Sequence, residues 1–250
     1  MALLSAKPVP ASERLIFPLD VETVDEAKRY VDLFGDAVCF YKLGLQIWLA
    51  SDGGGCSAFV DWLVQRTKKV MVDLKMFDVP ATVKAAVKQL RRRGVTFATV
   101  HGNDGMLKAA VESKDDVKLL AVTVLTSLDQ GDIKDLGFPC NVSDLVRSRA
   151  KRALAIGCDG VISSGIEAPM LRQQFGSQFL VVTPGIRPVE NNLDPHNQKR
   201  TVDIEQAFLN GADYIVVGTP IRKASDPKAK AEECQGRIAR LFNRTMPVPE

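Results

Sequence analysis

The chain has 250 residues, 46% hydrophobic and 25% charged, a balance that supports a large packed core and excludes a predominantly disordered polypeptide. Its formal net charge is only +3, and the basic residues are scattered apart from short groups such as Lys68, Lys69 and Arg91, Arg92, Arg93; this field is too weak for a nucleic-acid partner. The five cysteines (Cys39, Cys56, Cys140, Cys158, Cys234) are odd in number and lack any C-x-x-C pair, so neither a disulfide framework nor a zinc site is suggested.

Met1 to Glu13 lacks a basic stretch followed by a long apolar one, and no apolar run approaches the roughly 18 residues of a membrane span. A cytoplasmic protein with no membrane partner is expected. In chain order, short apolar runs recur at Arg14 to Asp20, Val38 to Leu43, Lys69 to Lys75, Thr96 to His101, Val117 to Leu125, Gly160 to Ser164, Phe179 to Pro184 and Tyr214 to Gly218. They are nearly continuous rather than alternating, which is what strands buried on both faces of a parallel sheet require. Between them lie helical stretches. Thr23 to Phe34 has its acids early, Pro80 to Arg93 has Pro in its first turn and bases late, and Val142 to Ile156 and Thr201 to Asn210 follow, the last stopped by Gly211. Ser51 to Gly55 interrupts one helix, and Leu128 to Pro139 reads as a longer loop with local structure. Eight strands alternating with helices predict one (β/α)8 TIM barrel over residues 1–250, with 1–13 as an N-terminal extension and 245–250 as a tail.

In that fold the C-terminal ends of the strands converge on one mouth, where active sites lie. Here they carry Asp20, Lys42, Asp73, Lys75, His101, Thr126, Ser127, Thr183 and Gly218. Asp73 and Lys75 are two apart, so regular strand alternation points both into the barrel, and Asp78 follows on the loop within reach of the same mouth from its own or a neighbouring subunit. An ammonium between two carboxylates keeps its proton, because nearby negative charge favours the charged form. Such a lysine is a poor Schiff-base nucleophile but suits stabilisation of a developing anion followed by proton donation. The alternative is a structural ion-pair network that seals the barrel top. Asp20 and Lys42 end the first two strands, so four charges alternate in sign over three successive strands.

The string Asp73-x-Lys75-x-x-Asp78-Val79-Pro80-x-Thr82 does not stand alone. Leu19-Asp20-Val21, Tyr41-Lys42-Leu43-Gly44, Val124-Leu125-Thr126-Ser127, Thr183-Pro184-Gly185-Ile186-Arg187-Pro188 and Val217-Gly218-x-Pro220-Ile221 accompany it. In this order, from about Arg14 to Pro227, the chain resembles the orotidine 5'-monophosphate decarboxylases. The Asp-x-Lys-x-x-Asp string alone is shared with sugar-phosphate decarboxylases and aldol-type enzymes; Pro80, Thr82 and the Pro-Gly-Ile-Arg-Pro loop favour the orotidylate family.

The resemblance implies a homodimer that acts on orotidine 5'-monophosphate without metal or organic cofactor. It implies Lys75 as cation and proton donor, with Asp73, Asp78 and Lys42 as catalytic partners. Asp20 and Lys42 would hold the ribose and the lysine network, and Asp78 and Thr82 would reach the partner subunit's site. Thr126 would meet the pyrimidine, with Ser127 and Pro184 as further substrate contacts. Gly185, Arg187, Gly218 and the loop around Gln198 would bind phosphate. One position departs from the pattern: the family places Arg directly after the glycine of the eighth strand, and this chain has Thr219. Thr219 can donate a hydrogen bond but no charged fork, so either Arg222 swings in or Arg187 carries the phosphate alone. Lys223 to Lys230 reads as a solvated helix start, Trp48, Trp62 and the Phe residues read as core, and His101 reads equally as mouth-lining or structural. A sugar-phosphate enzyme and a catalytically silent nucleotide sensor remain as competing functions.

Overall fold

Each apolar run folds as a strand with both faces covered, and the helices between them form the cover. The computed structural model describes residues 3–50, 55–101, 103–187 and 202–243. In chain order its elements are β1 Leu15–Pro18, α1 Val24–Phe34, β2 Phe40–Leu43, α2 Leu45–Trp48, α3 Gly55–Gln65, β3 Lys69–Met76, α4 Pro80–Arg91, β4 Phe97–Val100, α5 Asp104–Val111, β5 Lys118–Val122, α6 Gln130–Asp135, α7 Val142–Ile156, β6 Gly160–Ile162, α8 Ala168–Phe175, β7 Leu180–Thr183, α9 Ile204–Leu209, β8 Tyr214–Val216, α10 Thr219–Arg222 and α11 Pro227–Asn243. All eight strands pair in parallel and in sequence order, and β1 pairs β8 through Leu15↔Ile215 and Ile16↔Val216 to close the barrel. The protein is a (β/α)8 barrel.

Local chemistry sets the helix limits. The Thr23 side chain accepts from the Glu26 N–H at 3.1 Å and starts α1, Pro80 opens α4 where no N–H is needed, and Gly157 at φ 107° ends α7. The segment predicted as a structured loop contains α6, started by Asp129, whose carboxylate accepts from Gly131 and Asp132. The predicted break between α2 and α3 lies, apart from Gly55, outside the described residues. No helix among the described residues is long and apolar enough to cross a membrane.

Alternation along the strands divides the core in two. Outward residues such as Phe17, Tyr41, Val72 and Ala98 pack against the helices. Inward residues Ile16, Phe40, Met71, Phe97, Leu120, Val122, Ile162, Leu180, Val182, Tyr214 and Val216 fill the barrel. Low in this filling, Phe40, Phe97 and Tyr214 contact one another at ring-centroid separations of 5.0, 5.9 and 5.0 Å. The plug has a direct consequence for the mouth. One pleat above Phe40, Met71 and Phe97 stand Lys42, Asp73 and Thr99, so the apolar layer is the floor on which the polar layer sits.

Below the plug, the N-terminal extension closes the other end. Asp213 is fully buried and accepts from Arg172 at 2.8 Å, Lys7 at 3.1 Å and the Val181 N–H at 2.9 Å. The Arg172 guanidinium also donates to the carbonyls of Gly211 and Phe179, and buried Arg14 donates to the Asp213 carbonyl while lying 3.8 Å over the Phe242 ring. Buried charge with this many partners is compensated.

Candidate active site

At the mouth lies a cavity of about 470 Å³. Its polar wall on the β1–β3 side is the predicted charge cluster. The Lys75 amine lies 3.0 Å from Asp73 Oδ2, and the Lys42 amine lies 3.5 Å from the same oxygen and 3.2 Å from Asp20 Oδ1. Asp73 is thus the common anion of both lysines. Burial alone would raise its carboxyl, but Lys42 and Lys75, with hydrogen bonds from Lys75 and Thr99, outweigh burial and hold it below the usual carboxylate range. Gly44 leaves room beside this group, since a Cβ there would stand 3.1 Å from the Lys42 amine and 3.2 Å from Asp20 Oδ1.

Asp73 and Lys75 meet as predicted, but not by regular alternation. Pairing of β3 with β4 runs Met71↔Phe97 and Val72↔Ala98, then shifts so that Met76 faces Val100. Lys75 occupies this irregularity at φ 48°, a conformation costing a non-glycine residue on the order of 1–2 kcal/mol. Thr99, which the sequence reading did not single out, holds the distortion. Its hydroxyl donates to Asp73 Oδ1 at 2.9 Å and accepts the Lys75 N–H at 2.9 Å. Its layer position above Phe97 is the signal that identifies it.

The β5–β6 side supplies Val122, Val124, Leu125, Thr126 and Ile162, an apolar surface with one hydroxyl residue, suited to a flat ring. The β7–β8 side supplies Pro184, Gly185, Ile186, Arg187, Gly218, Thr219, Pro220 and Lys223. Gly185 sits at φ 77°, and at Gly218 any Cβ would fall 2.6 Å from Pro18 Cγ, so both positions demand glycine.

Several predicted residues stand elsewhere. Ser127 is exposed and does not line the cavity, because the chain turns outward after Thr126. Asp78 and Thr82 are exposed and outside the lining; Asp78 accepts from the Val79 N–H at 2.6 Å. Arg222 does not line the cavity either: its guanidinium donates to the Asp20 carbonyl at 2.5 Å, so that swing-in role is not the arrangement found. Lys223, read as solvated, lines the cavity instead. His101 is outside the lining and packs edge-on to Phe77, an exposed aromatic that departs from the expectation of core phenylalanines. Burial first, then Arg149 and Lys75, push the His101 imidazole below its ordinary value. Gln198 and Pro188 lie outside the described residues. Among the described residues no group of three or more His, Cys, Asp or Glu is placed to hold a metal ion.

Residues 13–234 match the family model described as "Orotidine 5'-phosphate decarboxylase / HUMPS family". The chain is 58% identical over 239 residues to an orotidine 5'-phosphate decarboxylase of Methylococcus capsulatus, covering 96% of this chain and 97% of that one. It is 49% identical over 233 residues to the protein of the same name from Xanthomonas axonopodis pv. citri, covering 92% and 94%. Among solved structures, it is similar to a crystal structure of orotidine 5'-phosphate decarboxylase from Lactobacillus acidophilus, with a TM-score of 0.79 and 33% identity over 90% of this chain and 99% of that one. A barrel of this topology, an Asp-Lys cluster at its mouth and relatives matching almost end to end lead to one conclusion: the chain belongs to the orotidine 5'-phosphate decarboxylase family.

Proposed function

We propose that this carboxy-lyase converts orotidine 5'-monophosphate to uridine 5'-monophosphate in de novo pyrimidine synthesis, with Lys75 as fixed cation and proton donor and with no metal or organic cofactor. The observation that carries the reading is the Lys75 amine 3.0 Å from Asp73, at the rim of a cavity whose other walls are apolar and cationic. Loss of carbon dioxide breaks the bond from C6 to the carboxylate and leaves the electron pair on C6, without an ordinary electron sink. A preorganised ammonium beside that carbon stabilises the charge as it forms and then transfers a proton to C6; the amine recovers its proton from solvent. Asp73 holds the ammonium and stands near the departing carboxylate. Its main contribution is positioning, since the network of Lys42, Asp20 and Thr99 fixes its orientation.

In this reading Asp20 and Lys42 take the ribose hydroxyls, and Thr126 meets the pyrimidine, with Ser127 nearby in sequence. Pro184, Gly185, Arg187, Gly218 and Thr219, with Gln198, take the phosphate. The active form is a homodimer in which Asp78 and Thr82 enter the partner's site. Support comes from the exposed apolar side chains that flank Asp78, Phe77 at 67% and Val79 at 62% exposure, the kind of surface an interface covers. A cytoplasmic location fits five cysteines that all remain unpaired. No nucleic-acid or membrane partner enters the reading.

The test adds purified protein to orotidine 5'-monophosphate in the presence of a chelator and follows the pyrimidine absorbance. Rapid conversion to uridine 5'-monophosphate is the expected result. An unchanged spectrum, or turnover that the chelator stops, would sink the reading.

A further inference from the structure

A phosphate dianion at the β7–β8 side of the cavity calls for cationic donors, and Thr219 offers only a neutral hydroxyl. Two cationic side chains line that side, Arg187 and Lys223. Arg222 is adjacent in sequence, but it is committed to the Asp20 carbonyl and lies outside the lining. The Lys223 amine, in contrast, makes no hydrogen bond or ion pair with any described residue, so its donors are available.

The backbone explains why Lys223 reaches the cavity and Arg222 does not. The Lys223 N–H donates to the Thr219 carbonyl at 2.9 Å, closing one helical turn after α10 begins. Residues four apart on such a turn share a face, and the Cα–Cβ bond tilts toward the start of the helix. Lys223 therefore shares a face with Thr219, and both side chains line the same wall of the cavity. Arg222, one residue earlier, is rotated about 100° around the turn and faces β1.

We infer that Lys223 is a substrate-binding residue that, with Arg187, holds the 5'-phosphate in place of a cation at position 219. The inference rests on the proposed nucleotide substrate and adds the residue that binds its phosphate. Its contribution is to binding and positioning, and it touches none of the reacting atoms at C6.

The experiment compares Lys223→Ala with the wild type, reading both steady-state kinetics on orotidine 5'-monophosphate and calorimetric affinities for uridine 5'-monophosphate and for uridine. Loss of a charge-assisted contact to phosphate should lower nucleotide affinity and kcat/KM by roughly 10- to 100-fold and leave uridine affinity unchanged. Lys223→Arg should keep most of both, and Thr219→Arg placed in the Lys223→Ala background should restore them. Nucleotide affinity within twofold of wild type in Lys223→Ala, or a parallel fall for uridine, overturns the inference. Wild-type protein that binds uridine 5'-monophosphate through Lys223 but never turns over orotidylate would uphold this assignment and defeat the proposed reaction alone.

Discussion

The barrel carries a charge cluster at each end, one buried and one open to a cavity. At the bottom, the Asp213 side chain is 0% exposed and has protein partners on both oxygens, while Arg172 spends its donors on Asp213 and two carbonyls. At the mouth, Lys75 remains 37% exposed and has one carboxylate partner, Asp73, which Lys42 shares. Saturated charge locks structure; charge with spare donors facing a cavity is poised for a ligand. The comparison teaches that burial and ion pairing alone do not mark an active site. What sets the mouth apart is that its ion pair lines a cavity.

Breaking each cluster should therefore give opposite signatures. The largest effect belongs to the mouth: Lys75→Ala should lower kcat by about 10⁴-fold or more, since the proposed mechanism loses both its cation and its proton donor, with little change in thermal midpoint. A variant that retained activity within tenfold would end the assignment of Lys75. Next comes the bottom. Asp213→Ala strands buried Arg172 and should cost roughly 3–5 kcal/mol in urea unfolding, while activity per folded molecule stays near wild type. Equal unfolding midpoints would show that the lower network is not compensating buried charge.

Thr99→Val probes the seam between structure and function at smaller scale. It removes both bonds that hold the Asp73–Lys75 distortion, so stability should fall by about 1–3 kcal/mol and kcat should fall with it; loss of stability without loss of rate would make Thr99 merely structural. The smallest effect is one of pH. Because the Asp73 carboxyl is held below its ordinary 3.8, its contribution to stability is present above that value and disappears as pH falls through its folded value. Urea midpoints of wild type and Asp73→Asn should therefore converge as the solution is acidified below about pH 4. Parallel curves down to the acid limit would contradict the cause assigned to the shift.

The strands were legible in the sequence because parallel strands covered by helices are apolar on both faces: seven of the eight runs contain their observed strand, and the third falls one residue short of β3, which ends at Met76. The Asp73–Lys75 pairing was legible too, for charged residues inside an apolar run need a reason to be there. Other features were hidden for physical reasons. Thr99 looks like any β-branched strand former until the register places it over Phe97. The positive φ of Lys75 leaves no mark in residue identity. Lys223 sits in a charged stretch where solvation is the ordinary outcome, and only the turn back onto Thr219 distinguishes it from Arg222. Asp78 and Thr82 are exposed and outside the lining of their own cavity, so no pattern within one chain brings them to it.

The β1–β8 seam has a consequence for synthesis. The residues proposed for the chemistry, Asp20 to Lys75, emerge early from the ribosome, whereas Gly185, Arg187, Gly218 and Lys223 emerge late. The two groups come together only when Leu15 and Ile16 pair with Ile215 and Val216. A growing polypeptide thus carries Lys75 long before the β7–β8 wall of the cavity exists, and the cavity is complete only after the barrel has closed.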